Sequence, residues 1–303
     1  MSGKVFDFSI AGIRIQIRSD AELKVTEAFE DFLITQKETD KTQEKENLPQ
    51  YVASFRAADR LQLPEGRCIY QDGRFLIYST GEHSYQRVFR RDTDEREIYA
   101  VSVYEAQKNL IEITYLETER KLFTDTQKVF LHIGWEWILM REEKMMLHAS
   151  CVNTPYGGLV FSGPSGIGKS TQAKLWCECE GAALINGDKT ILAKTEDGWS
   201  GYGSPYAGSS GCYVNTDCQI RAVLFLKQAE ACEIRRLNTA EAFKRIYTGL
   251  TVNHWDAAYV ERVSAMALHM AMELPVYEYF CTPNQQAVEY LKETILGGDG
   301  FDE

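Results

Sequence analysis

Eight consecutive residues carry the strongest chemical signal in the chain: Gly163-Pro164-Ser165-Gly166-Ile167-Gly168-Lys169-Ser170. Their spacing is GxxxxGK[ST], a pattern suited to cradling nucleotide phosphates. The glycines permit backbone dihedrals that turn successive N–H groups inward around an anion. A helix opening at the end of the run would point its positive end at the same anion. Lys169 adds a mobile point charge for the β and γ phosphates, and Ser170 adds a hydroxyl for Mg²⁺. The expected ATP contacts are therefore Gly163, Pro164, Ser165, Gly166, Ile167, Gly168, Lys169, Ser170 and Thr171. At average residue usage the pattern arises by chance about once per hundred chains of this length. A glycine-rich turn without a ligand is the alternative.

A phosphate loop needs a second, acidic element for its metal. Asp188 follows Lys169 by 19 residues, just past the apolar run Ala182 to Ile185. A carboxylate at the C-terminal end of a strand lies on the ligand side of a parallel α/β sheet. The tripeptide Asn186-Gly187-Asp188 is also good turn chemistry, so a plain turn aspartate stays open. His148, in Leu147-His148-Ala149-Ser150, is a further titratable group close to the loop in sequence. A lone histidine in a strand is usually structural. Arg235 and Arg236 are the nearest paired cations downstream, readable as an anion site or as a solvated strand edge.

These residues need a scaffold, and hydrophobic periodicity supplies one. Leu159 to Ser162 reads as a buried strand leading into the loop, and Ala173, Leu175 and Trp176 predict a helix after it, closed by Gly181. Met145 to Asn153, Ala182 to Ile185, Ala222 to Leu226 and Val276 to Phe280 read as further strands. Ala258 to Met272 and Asn284 to Leu296 read as helices. Upstream, Ile13, Ile15 and Ile17 alternate with Arg14, Gln16 and Arg18, the period of a half-buried strand. Similar runs occupy Tyr51 to Phe55, Arg67 to Tyr70, Arg74 to Tyr78, Gln86 to Phe89, Ile98 to Val103 and Leu110 to Tyr115, with Asp72-Gly73 as a hairpin turn. Thr35 to Gln50 is highly charged and reads as a solvated loop or linker. From Phe123 to Arg141 the spacing of Val129, Phe130, Ile133, Trp137 and Met140 predicts one helix. The expected organisation is a β-rich domain over residues 1–120, then an α/β catalytic domain over residues 121–303.

Composition narrows the class. The 303 residues are 44 % apolar and 25 % charged, values of a chain able to bury a sizeable core. A net charge of −11 argues against nucleic-acid binding. There is no run of about 18 apolar residues, and the N-terminal MSGKVFDFSIAGIRIQIRSD has no signal-peptide pattern, so no membrane partner is expected. The eight cysteines include no CxxC and the five histidines no HExxH. Reduced thiols in the cytoplasm are the expectation, rather than a zinc site or a disulfide framework.

The stretch from His148-Ala149-Ser150 through Gly157-Gly158-Leu159-Val160-Phe161, GPSGIGKSTQAKLW and Leu184-Ile185-Asn186-Gly187-Asp188 resembles the catalytic domain of HPr kinase/phosphorylase and its wider group. That group shares its nucleotide-binding core with ATP-dependent phosphoenolpyruvate carboxykinase. Gly203-Ser204-Pro205-Tyr206-Ala207-Gly208 looks like the GTPWxG stretch of HPr-kinase-like proteins found beside peptide-modification genes. The similarity covers residues 145–230 well and the remainder weakly. It implies an α/β phosphate-loop core, ATP and Mg²⁺ as cofactors, Ser170 and Asp188 toward the metal, and catalytic roles for Lys169, Asp188 and His148. The family's aspartate pair is Gly187-Asp188 here, so one carboxylate is missing. Pro164 stands where HPr kinases usually carry Asp, and Ser209-Ser210-Gly211 matches their phosphorolysis signature poorly.

The expected activity is transfer of the γ-phosphoryl group of ATP to a serine-type hydroxyl on a peptide, protein or small molecule. A nucleotide-binding scaffold without turnover stays open because of Gly187. A carboxykinase-like lyase would need oxaloacetate ligands that the chain does not display. A homo-oligomer is compatible with the sequence.

Overall fold

The computed structural model describes residues 4–35, 48–81, 84–91 and 94–296. Most of the charged segment Thr35 to Gln50 lies outside the described residues. The chain divides into two compact units, Met1–Trp135 and Glu136–Glu303.

The first unit is built on one eight-stranded sheet. Its strands are β1 (Lys4–Ile10), β2 (Ile13–Ser19), β3 (Tyr51–Ala58), β4 (Arg67–Gln71), β5 (Phe75–Gly81), β6 (Ser84–Arg91), β7 (Asp94–Glu105) and β8 (Leu110–Leu116), with a short helix α1 (Glu27–Glu30) after β2. Their order across the sheet is β1-β2-β3-β8-β7-β6-β5-β4. Period-two alternation does what it should: Ile13, Ile15 and Ile17 are buried, while Arg14, Gln16 and Arg18 stay accessible. The expected helix from Phe123 to Arg141 is two helices, α2 (Thr126–Ile133) and α3 (Trp135–Arg141). Gly134, at φ 72°, ends α2 in the left-handed conformation, and the periodicity runs across the break without showing it. The buried face of α2 brings Phe130 to 4.5 Å from the Phe29 ring centre.

The second unit begins within α3, at Glu136, and continues with β9 (Lys144–Thr154), β10 (Gly157–Ser162), α4 (Lys169–Glu180), β11 (Ala183–Asn186), β12 (Lys189–Thr195), β13 (Gly198–Tyr202), β14 (Asp217–Gln228), β15 (Glu233–Arg236), α5 (Thr239–Gly249), α6 (Ala257–Glu273), β16 (Val276–Cys281) and α7 (Gln285–Leu291). Its sheet is mixed. β10 runs parallel to β14, and β14 parallel to β16. β9 runs antiparallel to β10, β11 and β12.

Alternate residues of the central strands feed two cores. Leu159, Phe161, Leu224 and Leu226 pack with Ala173 and Trp176 of α4 and Val288 and Leu291 of α7. Val160, Val223 and Phe225 pack on the other face with Ile246 of α5 and Ala267 and Met270 of α6. Both faces are covered, so β10 reads as an unbroken apolar run. Each fully buried Leu, Val or Phe stabilises this arrangement by about 2 kcal/mol. α5, β12 and β13 carry no counterpart in the sequence reading, and β15 has only the strand edge read at Arg235-Arg236. For α5 a signal existed: Asn238 accepts from Glu241 N while the Glu241 side chain accepts from Asn238 N, a capping box legible as N-x-x-E.

Candidate active site

The loop from Gly163 to Gly168 leaves the C-terminal end of β10 and enters α4 at Lys169. Gly166 and Gly168 sit at φ 79° and 112°. L side chains resist such values, and an added Cβ at either position would meet no atom within 4 Å, so the two glycines border open space. Gln228, at the end of β14, steadies the loop from outside: its Nε2 donates to Gly166 O at 3.3 Å and Ile167 O at 3.4 Å. Gln172 of α4 donates to Thr282 O at 2.9 Å, tying the helix to the end of β16. The three parallel strands β10, β14 and β16 thus deliver their C-terminal ends to one place, where ligands gather in α/β sheets.

Lys169 is 6 % exposed. Its ammonium folds back onto the loop, donating to Gly163 O at 3.0 Å and Pro164 O at 3.1 Å. Burial lowers its pKa, opposed by the charge of Asp188. Ser165, Ser170 and Thr171 are exposed beside it.

Asp188 reaches the same place by an unexpected route. One edge of β9 pairs with β10. Its other edge pairs first with β11 and then, across a register shift, with β12. Asn186-Gly187-Asp188 is therefore a bulge in one long antiparallel course along β9. Asn186 Oδ1 accepts from the backbone N–H of Asp188 at 2.9 Å and of Lys189 at 2.7 Å. Its amide donates to Ser204 O at 3.2 Å and Ser204 Oγ at 3.1 Å. Ser150 Oγ donates to Gly187 O at 2.7 Å, and Ala149 N to Asp188 O at 2.9 Å. These hydrogen bonds hold the bend and with it the base of the Asp188 side chain.

His148 lies on β9 one step beyond the end of β10, where Ser162 Oγ donates to its carbonyl at 3.0 Å. Its Nε2 stands 3.1 Å from Asp188 Oδ1, each side chain about one third exposed at 34 %. Burial and the charge of Lys169 lower the His148 pKa, with Asp188 opposing and Lys189 adding to the depression. The imidazole is therefore neutral near pH 7. The contact is a hydrogen bond from Nε2–H to the carboxylate, which leaves Nδ1 as a free acceptor.

No family model and no curated protein matches the sequence. Among solved structures, the HPr(Ser) kinase/phosphatase from Coxiella burnetii matches with 14 % identity, over 50 % of this chain and 88 % of that chain, at a TM-score of 0.31.

Lys169, His148 and Asp188 come together at the head of α4; Arg235 and Arg236 do not join them. Arg235 sits on edge strand β15, ion-paired to Glu241 at 2.9 Å and Glu278 at 3.2 Å, toward the start of β16 and away from the loop. The solvated strand edge is the reading that holds. Two neighbours had no readable signal in local spacing because they lie far away in sequence: Gln228 supports the loop, and Ser210 stands over Gly187. Gly208, the last residue of the stretch that resembles GTPWxG, lies so close to Asp188 that a Cβ there would be 2.8 Å from Asp188 Cβ. The end of the stretch Gly203 to Gly208 is thus packed on the Asp188 side chain. Among the described residues no three His, Cys, Asp or Glu side chains cluster as metal ligands. A site with one carboxylate and one hydroxyl suits Mg²⁺, which keeps several waters and takes its other ligands from substrate phosphates. No helix among the described residues is long and apolar enough to cross a membrane.

Proposed function

We propose that the chain is an ATP- and Mg²⁺-dependent kinase that transfers the γ-phosphoryl group to a serine-type hydroxyl of a peptide, protein or small molecule. The observation that carries this reading is the meeting of the Lys169 ammonium and the His148–Asp188 pair at the N-terminal end of α4. A glycine-rich loop, a helix N-terminus and one ammonium would together form an anion cradle. The hydroxyl of Ser170 and Oδ2 of Asp188 are the groups that would hold Mg²⁺. When bound, the ion would neutralise charge on the β and γ phosphates.

Phosphoryl transfer passes through a loose transition state, so positioning and charge neutralisation dominate. Lys169 would exchange its two loop carbonyls for phosphate oxygens. The bond from the γ phosphorus to the ADP oxygen breaks, and a bond to the acceptor oxygen forms. The acceptor's proton passes to Nδ1 of His148, whose Nε2–H stays on Asp188 Oδ1. This division lets a single carboxylate serve both histidine and metal.

A second reading, a nucleotide-binding regulator without turnover, draws support from Gly187, where the resembling family has a second carboxylate. ATP consumption with Mg²⁺, measured with and without hydroxyl-bearing acceptors, separates the two. Binding without acceptor-dependent turnover would favour the regulator. Absence of nucleotide binding would overturn both.

A further inference from the structure

The proposed mechanism leaves one cation at the site unused. Lys189 opens β12 at the register shift, paired with both His148 and Ala149 of β9. Its ammonium reaches across β9 to the strand's opposite edge, where Thr251 Oγ1, its one hydrogen-bond partner among the described residues, lies at 3.4 Å. Thr251 is held on that edge by its backbone N–H, which donates to Met146 O at 3.0 Å. Leu147 and Ala149 belong to the core on one face of β9. The opposite face carries His148, a ladder partner of Lys189. Among the described residues Lys189 makes no ion pair, and neither does Lys169. Asp188, next to Lys189 in the chain, is the carboxylate at the site, and its Oδ1 already accepts from His148.

Two ammoniums against one carboxylate leave the site with surplus positive charge. Stem packing alone would be served as well by a residue without charge, and an exposed lysine tip would ordinarily extend into water. Here the tip is held by a weak contact to a neutral hydroxyl, an arrangement readily given up for an anion.

We propose that Lys189 is a second cationic contact for the phosphoryl group in transit, working with Lys169. In a loose transition state the charge spreads over three equatorial oxygens, and a cation present in that state accelerates transfer strongly. A site that offers the metal one carboxylate gains from a cation supplied by its own chain. The inference deepens the kinase reading and rests on it.

The test compares Mg-ADP with Mg-ADP plus aluminium fluoride, a mimic of the phosphoryl group in flight, by calorimetry on the full chain. The wild type should bind the fluoride complex at least about tenfold tighter than ADP alone. Lys189→Met should keep ADP affinity within about twofold yet lose most of that tightening, and Lys189→Arg should retain part of it. Thr251→Val, which frees the ammonium without removing it, should keep the tightening. Full tightening in Lys189→Met, or none in a wild type that binds ADP, would overturn the role of Lys189 and leave the nucleotide site standing. A wild type that binds neither ligand would overturn the nucleotide reading itself.

Discussion

Ser210 Oγ occupies the space that a side chain at Gly187 would require: a Cβ there would lie 2.0 Å from it and 2.3 Å from Ser210 Cβ. The hydroxyl is fixed, donating to Ala207 O at 2.6 Å and accepting from Cys212 N at 3.3 Å. The carboxylate that the sequence resemblance would place at residue 187 therefore has no room, and the bend at Asn186-Gly187-Asp188 is a packed arrangement.

Restoring that carboxylate alone should fail. Gly187→Asp is expected to cost about 2 kcal/mol through overpacking. Pairing it with Ser210→Gly should recover at least half of the loss. Denaturant midpoints of the three proteins check this; a single variant as stable as the wild type would show that the 208–211 turn yields freely.

The proposed anion cradle depends on Lys169, whose ammonium rests on two loop carbonyls. Lys169→Ala should weaken ATP binding by about tenfold or more, as loss of a charge-assisted phosphate contact demands. Calorimetry on a variant shown to be folded is the measurement, and unchanged affinity would sink the cradle.

Asp188→Asn should separate binding from chemistry. Without Mg²⁺ its ATP affinity should stay within about threefold of the wild type, because the amides and Lys169 remain, while turnover with Mg²⁺ falls about a hundredfold or more. Normal turnover would reduce Asp188 to a residue of the bulge.

Gln228→Leu should disturb the loop from a distance. Losing two weak amide donors is expected to lower nucleotide affinity about threefold with the fold intact. The same calorimetric titration reports it.

Acid should loosen the first unit through one histidine. Burial pushes the His132 pKa from 6.5 down to about 4, the hydrogen bond to Lys128 O opposing and the charge of Arg87 adding. His132 Nδ1–H donates to Lys128 O at 2.9 Å, so Nε2 accepts from Tyr99 OH at 3.0 Å, and the neutral ring fills both roles. The unfolded chain binds a proton there first, so stability falls as pH drops below 6.5 and levels off near 4. At about pH 5 the loss should be about 2 kcal/mol relative to neutral pH. Urea midpoints in a His148→Asn background isolate the effect, and a flat profile would contradict it.

The loop and its flanking β10 and α4 were legible because local pattern and spacing coincide there. Asp188 was legible as a strand-end carboxylate, but not the bulge that aims it: Asn186-Gly187-Asp188 looks the same in sequence whether the chain turns back or runs on. Ser210, Gln228 and Lys189 reach the site through sheet pairing and loop packing, and no local period encodes such meetings. Gly134 breaks a helix whose apolar spacing continues past it, since periodicity tracks burial and not backbone continuity.

The long course of residues 183–195 along β9 makes chain length, as well as residue type, a heritable constraint. In a strand pair each residue faces opposite to its neighbour, so deleting one residue between Asn186 and Lys189 would turn every side chain of β12 over. Ile191 and Leu192, both fully buried, would trade places, and the lysine would move off the face it shares with His148. Substitutions can therefore accumulate in this stretch while insertions and deletions cannot. In any related chain, the spacing between the carboxylate and β12 should vary less than the residues that fill it.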